Sequence, residues 1–155
     1  LLFAVGMKDR PLNIPGLAEV YGKSAFVCPY CDGWELRDEP WVIISTGVDA
    51  MHFIPLISGW TDRFTLCTNG PDGLTESDRE DLRRHGVPLY DTPIRSIESE
   101  EGIVQQVVLE DGTAIACRVA HCVSKFIGTA CRAGPYWTNW TPGPNTKASS
   151  PYLRC

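Results

Sequence analysis

The stretch from residue 41 to residue 90 alternates between strand-like and helix-like patterns, and this alternation limits the possible folds more than any other feature. Residues 41–45 form a nearly continuous apolar run, which is typical of a parallel strand covered on both faces. Helix, strand, helix and strand are then predicted, in that order, over residues 50–60, 63–68, 75–85 and 87–90. This order favours a parallel sheet with right-handed crossovers.

After residue 90 the pattern changes to short strands joined by tight turns. Strand candidates occupy residues 94–99, 103–110 and 113–119, and an Asp-Gly pair at residue 111 is a strong hairpin signal between the last two. The sequence therefore predicts an α/β fold, in which a Rossmann-like parallel sheet with helices is joined by a three-stranded antiparallel meander.

Composition argues against several classes of function. The 155-residue chain carries a formal net charge of -5, so it lacks the basic surface that binds nucleic acid. No apolar run reaches the roughly 18 residues of a membrane span, and we expect no membrane partner. The seven cysteines are an odd number with no secretory signal in the given sequence, which favours a cytoplasmic protein over a disulfide-stapled extracellular one. Because the sequence opens on Leu1 in the manner of a strand, we interpret it as a segment of a longer protein.

The turn after the first predicted strand is a candidate dinucleotide site. In the fingerprint G-x-G-x-x-G/A, small residues let the backbone approach a pyrophosphate at the start of a helix. Two of the three small positions are matched here, whereas Ser45 replaces the first glycine. The candidate cofactor contacts in this region are Thr46, Gly47, Val48, Ala50 and, at the end of the next strand, Asn69. A bare strand–helix turn explains the same pattern, and the sequence does not choose between NADH and NADPH.

Cys28 and Cys31, separated by two residues, can either form a redox pair or hold a metal ion. In the redox case one thiolate attacks a disulfide and the second resolves the mixed disulfide, while Asp32 is placed to transfer a proton. The alternative is a zinc-ribbon binding module, which needs Cys117 and Cys122 as the second pair of ligands. Two further interpretations are inert buried thiols and a thioredoxin fold, and the glycine and acidic residues after the pair argue against the latter.

The pair stands in a longer motif that resembles a known family. Residues 28–33 read Cys-Pro-Tyr-Cys-Asp-Gly and are followed by Trp34 and Glu35. Together with residues 2–6 and the strand–turn–helix at 41–60, this motif resembles thioredoxin reductase and, more broadly, the FAD-dependent pyridine nucleotide-disulfide oxidoreductases. It is most similar to bacterial and fungal thioredoxin reductase-like flavoproteins, which include oxidases that close dithiols in fungal sulfur-containing metabolites.

The resemblance covers about residues 1–119 and implies a division into domains. Residues 1–24 would be a remnant of the FAD domain and the interdomain linker. Residues 25–119 would be a NAD(P)-binding-like domain that carries the redox pair, and residues 120–155 an irregular tail unlike the family. Because most of the flavin site is missing from this sequence, we expect the segment to be inactive on its own.

The resemblance also implies roles and partners. Cys31 would be the thiol that faces the flavin, Cys28 the thiol that exchanges with substrate, Asp32 the acid, and Gly6 a residue near FAD. The implied cofactors are FAD and NADPH, although an oxidase would pass its electrons to oxygen. The implied partner is a thioredoxin-like protein or a small dithiol or disulfide, and the full-length protein would be a homodimer.

Overall fold

The structure, a computed structural model, describes residues 11–45 and 48–122. The predicted alternation of strands and helices between residues 41 and 90 is confirmed. The elements in chain order are α1 (Leu17–Val20), β1 (Ala25–Phe26), α2 (Pro29–Asp32), β2 (Trp41–Ile44), α3 (Val48–Ile57), β3 (Phe64–Cys67), α4 (Glu76–Arg84), β4 (Leu89–Tyr90), β5 (Ile94–Glu100), β6 (Ile103–Leu109), β7 (Ala114–Ala116) and β8 (Val119–Cys122).

Five strands form a parallel sheet in the order β1-β8-β2-β3-β4. All four residues of β2 are buried, as its continuous apolar run predicts. Ile44 at the end of β2 pairs with Cys67 of β3 and with Cys122 of β8, so the three strands end at the same edge. In open parallel sheets, ligands bind at this carboxyl edge where the strand order reverses, and here that point lies between β2 and β8.

Strands β5, β6 and β7 form a separate antiparallel sheet, which confirms the predicted meander and the α/β fold class. The predicted third meander strand over 113–119 is wrong at its end, because β7 stops at Ala116. The N–H groups of Arg118 and Val119 both donate to the Pro40 carbonyl, which directs the chain into the parallel sheet as β8. The parallel sheet therefore extends to Cys122.

The two faces of the parallel sheet bury different partners. Val42 and Ile44 face a cluster that includes Val104 and Val107 of the meander. Ile43, on the opposite face, belongs to a cluster that includes residues of α3 and α4. The domain therefore has three layers, with the meander on one side of the sheet and the helices on the other. No helix in the described part of the chain is long and apolar enough to span a membrane.

Candidate active site

Both cysteines of the motif are placed by one short helix. Cys28 is the extended residue that precedes α2, and Pro29 begins the helix with its restricted φ angle. Cys31 follows within the same turn, so its side chain returns to the side of Cys28. The two Sγ atoms lie 2.8 Å apart, with the Cys31 thiol donating to the Cys28 sulfur. Cys31 is exposed and Cys28 is partly buried. The pair is therefore a dithiol whose sulfurs face each other and are accessible.

Two groups at the dithiol, the Cys31 thiol and the Asp32 carboxyl, have raised pKa values. The hydrogen bond to Cys28 raises the pKa of the Cys31 thiol, and desolvation and the charges of Cys28 and Asp32 raise it further. Partial burial raises the pKa of the Asp32 carboxyl, and the neighbouring Glu35 charge adds to this. A carboxyl group that keeps its proton to higher pH is better suited to protonate a departing thiolate.

The loop after the dithiol is fastened to the segment that follows α3. The backbone N–H of Asp38 donates to the Trp60 carbonyl at 3.0 Å, and the Thr61 hydroxyl donates to the Glu39 carbonyl at 2.8 Å. The Trp60 ring also packs on Gly33, so closely that a Cβ atom at Gly33 would lie 2.8 Å from the ring. Sequence reasoning missed Trp60, because its contact with the motif joins residues far apart in the chain.

The candidate cofactor residues fall into two groups. Gly6, Thr46 and Gly47 lie outside the described residues. Val48, Ala50 and Asn69 are described and lie at the carboxyl edge of β2 and β3, where Val48 begins α3 and Ala50 is fully buried.

Two polar side chains, Asn69 and Ser45, define the environment that a nucleotide would meet at the carboxyl edge of β2 and β3. The Asn69 side chain accepts a hydrogen bond from the Ile94 N–H at 2.7 Å, which ties the end of β3 to the start of the meander. Ser45, at the position of the first fingerprint glycine, is buried, and its hydroxyl has no hydrogen-bond partner among the described residues. A buried hydroxyl without a partner fits a polar group bound at this edge.

The structure contradicts the zinc-ribbon alternative. Cys117 and Cys122 are buried in the apolar cluster beneath the meander, where burial raises the pKa of each thiol to about 12. Across residues 11–45 and 48–122, no three side chains of His, Cys, Asp or Glu lie close enough together to hold a metal ion. The thioredoxin-fold alternative also fails, because turns rather than a helix follow Asp32.

Comparisons with known proteins agree with the motif. No family model matches the sequence. The chain is 30% identical over 120 residues to thioredoxin reductase aclD of Aspergillus oryzae, a match that covers 73% of this chain and 38% of that protein. It is 35% identical over 79 residues to thioredoxin reductase tcpT of Claviceps purpurea, covering 48% of this chain and 25% of that protein. This chain is thioredoxin reductase-like.

Solved structures support the same assignment. The putative thioredoxin reductase TrxB from Bacillus anthracis superimposes with a TM-score of 0.75 at 35% identity, covering 80% of this chain and 42% of that one. The curated relatives are matched over only 22% to 38% of their own length. The resemblance read from residues 28–33 to FAD-dependent pyridine nucleotide-disulfide oxidoreductases, a family that uses FAD and NADPH, is thus confirmed at the level of the family.

Proposed function

We propose that this domain carries the redox dithiol of a flavin-dependent thiol–disulfide oxidoreductase. The observation on which this depends is the geometry of Cys28 and Cys31, whose sulfurs lie 2.8 Å apart on an accessible one-turn helix. The substrate would be a thioredoxin-like protein or a small dithiol or disulfide, and the full-length protein would work as a cytoplasmic homodimer.

The chemistry of the pair follows from its surroundings. Cys28 attacks the substrate disulfide, and Cys31 then attacks Cys28 and closes the internal disulfide. Asp32, directly after Cys31 in the chain, would transfer a proton to or from the departing thiolate, and partial burial raises the pKa of its carboxyl. The exposure of Cys31 also suits a thiol that must contact a flavin held by another domain.

FAD and a nicotinamide cofactor would serve this dithiol. Bound FAD would supply or accept the electron pair, with NAD(P)H or oxygen as the outer redox partner. Gly6 would lie near FAD. Thr46, Gly47 and Val48 would bind a nucleotide pyrophosphate, and Ala50 would let helix and strand approach. Asn69 would lie near the ribose.

A redox titration of the chain tests the proposal. Purified protein is equilibrated in mixtures of reduced and oxidised dithiothreitol, and its free thiols are counted by alkylation and mass spectrometry. We expect one pair of thiols to disappear together and to return on reduction. Cys28→Ala and Cys31→Ala should abolish this change, whereas Cys67→Ala, which removes a buried thiol, should retain it. An internal disulfide that still forms in Cys28→Ala would contradict the assignment.

The full-length protein provides the second test. Replacing Cys28 and Cys31 together by serine should abolish electron transfer to a disulfide substrate. Full turnover by this double variant would refute the proposed function.

A further inference from the structure

Two exposed aromatic side chains belong to the dithiol motif. Tyr30, between the cysteines, is 73% exposed, and Trp34, just beyond them, is 61% exposed. Among the described residues these are the two large hydrophobic side chains left exposed. Exposed apolar surface that is concentrated at one place marks a binding surface more often than scattered apolar residues do.

Arg37 fixes the position of the Trp34 ring. Its guanidinium carbon lies 4.2 Å from the ring centroid, and its Nη1 donates to the Trp34 carbonyl at 2.8 Å. The arginine therefore covers part of the ring, and because the indole stays largely exposed, the rest of it remains available to a ligand. The same contacts hold the positive charge of Arg37 against Trp34 and its carbonyl.

Negative charge adjoins the sulfurs. Asp32 directly follows Cys31 and its charge acts on that thiol, and Glu35, exposed three residues further along the chain, acts electrostatically on Asp32. Asp38 and Glu39 are exposed on the same loop, which contains one cation, Arg37, and is contacted by a second, Arg63, whose guanidinium donates to the Asp38 carbonyl. A ligand that approaches the dithiol therefore meets aromatic surface and an excess of negative charge.

We propose that this face selects uncharged or cationic disulfides that carry an aromatic or apolar ring, that it disfavours anionic disulfides, and that Glu35 contributes to this preference. The proposal rests on the proposed function and names its substrate class. The attack of one thiolate breaks the substrate S–S bond, forms a mixed disulfide and releases one substrate thiolate. The second thiolate breaks the mixed disulfide, closes the Cys28–Cys31 bond and releases the other. Two electrons pass to the substrate, and the two dithiol protons end on the two released thiols.

The charge preference is tested with the reduced chain and three simple disulfides. Cystamine is cationic, oxidised glutathione is anionic and 4,4′-dithiodipyridine is uncharged and aromatic. Each second-order rate constant is divided by that of dithiothreitol with the same disulfide, which removes differences in intrinsic reactivity. At low ionic strength we expect the normalised rate with cystamine to exceed that with oxidised glutathione by about tenfold or more. This ratio should approach unity near 1 M salt, where the Debye length is about 3 Å.

Glu35→Gln and Trp34→Ala test which residues determine the substrate preference, and Glu110→Gln is the control. Glu35→Gln should lower the ratio of cystamine to oxidised glutathione by about two- to fivefold. Glu110→Gln, the same change in the exposed turn between β6 and β7, should leave the ratio unchanged. Trp34→Ala should slow the reaction with 4,4′-dithiodipyridine by about two- to tenfold while changing the cystamine rate less.

The outcomes separate the two proposals. If none of the three disulfides oxidises the pair, the proposed function fails and this inference fails with it. If all three react at equal normalised rates, or if Glu35→Gln leaves the ratio at its wild-type value, only the substrate preference is refuted.

Discussion

Gly33, directly after the dithiol helix, has no room for a side chain. A Cβ atom on this residue would lie 2.8 Å from the Trp60 ring and would also collide with the carbonyl oxygen of Pro29. Contacts this close do not persist, so the ring or the α2 turn must move. Gly33→Ala should therefore both destabilise the domain and disturb the positions of the two sulfurs.

The size of the effect follows from two opposing contributions. Gly33 has φ -65 and ψ -29, which alanine adopts without strain. Alanine would then stabilise the protein by about 0.4–1 kcal/mol, since it restricts the unfolded chain. Overpacking costs about 1–3 kcal/mol. We expect the collision to dominate and the free energy of unfolding to fall by about 1–2 kcal/mol.

Urea denaturation monitored by tryptophan fluorescence measures this change. With an m-value of about 1.5 kcal/mol/M, the unfolding midpoint should fall by roughly 1 M. Gly59→Ala is the matched control, because Gly59 is exposed and its Cβ atom would lie 3.3 Å from the Leu56 carbonyl oxygen. The control should change the free energy of unfolding by less than about 0.5 kcal/mol. A Gly33→Ala protein as stable as wild type would refute the steric argument.

Two further predictions concern stability. Thr75→Ala removes a capping box in which the Thr75 hydroxyl accepts from the Asp78 N–H and the Asp78 carboxylate accepts from the Thr75 N–H. Urea titration should show that the free energy of unfolding falls by about 1 kcal/mol, whereas Thr75→Ser should change it little. Burial lowers the pKa of His121 from 6.5 to about 4. Between these two pH values the imidazole is mostly protonated in the unfolded chain and mostly neutral in the folded chain. The free energy of unfolding should therefore fall by about 3 kcal/mol as the pH drops from 6.5 to 4. His121→Phe, whose ring can pack on Phe53, should lose this part of the pH dependence. An unchanged pH dependence in that variant would contradict the assignment.

The sequence predicts those parts of the fold that depend on residues close together in the chain. The apolar run of β2 indicates a strand buried on both faces, and Thr75 marks the start of α4 because capping involves only neighbouring residues. The extent of β8 has no such signal, since its four residues include His121 and border an irregular sequence. Its pairing with β1 and β2 depends on long-range contacts that no sequence period reveals.

The candidate site divides in the same way. The approach of Cys28 and Cys31 could be predicted, because spacing within a single turn fixes it. The hydrogen bond between Asn69 and Ile94 could not, because the hairpin pattern of the meander does not show where its first strand meets β3. The burial of Cys117 and Cys122 could not be predicted from the sequence either, because their spacing alone resembles a pair of metal ligands.

A double-mutant cycle decides whether Trp60 or the α2 turn limits the space at Gly33. Trp60→Leu removes the indole, whose Nε1 is buried without a hydrogen-bond partner among the described residues. If the ring is the obstacle, Gly33→Ala should cost about 1 kcal/mol less in the Trp60→Leu protein than in wild type. The rate of thiol–disulfide exchange should follow the same coupling, because the ring would then hold the sulfurs through Gly33. An equal cost in both backgrounds would place the collision at the Pro29 carbonyl, within α2, and would show that Trp60 does not position the dithiol.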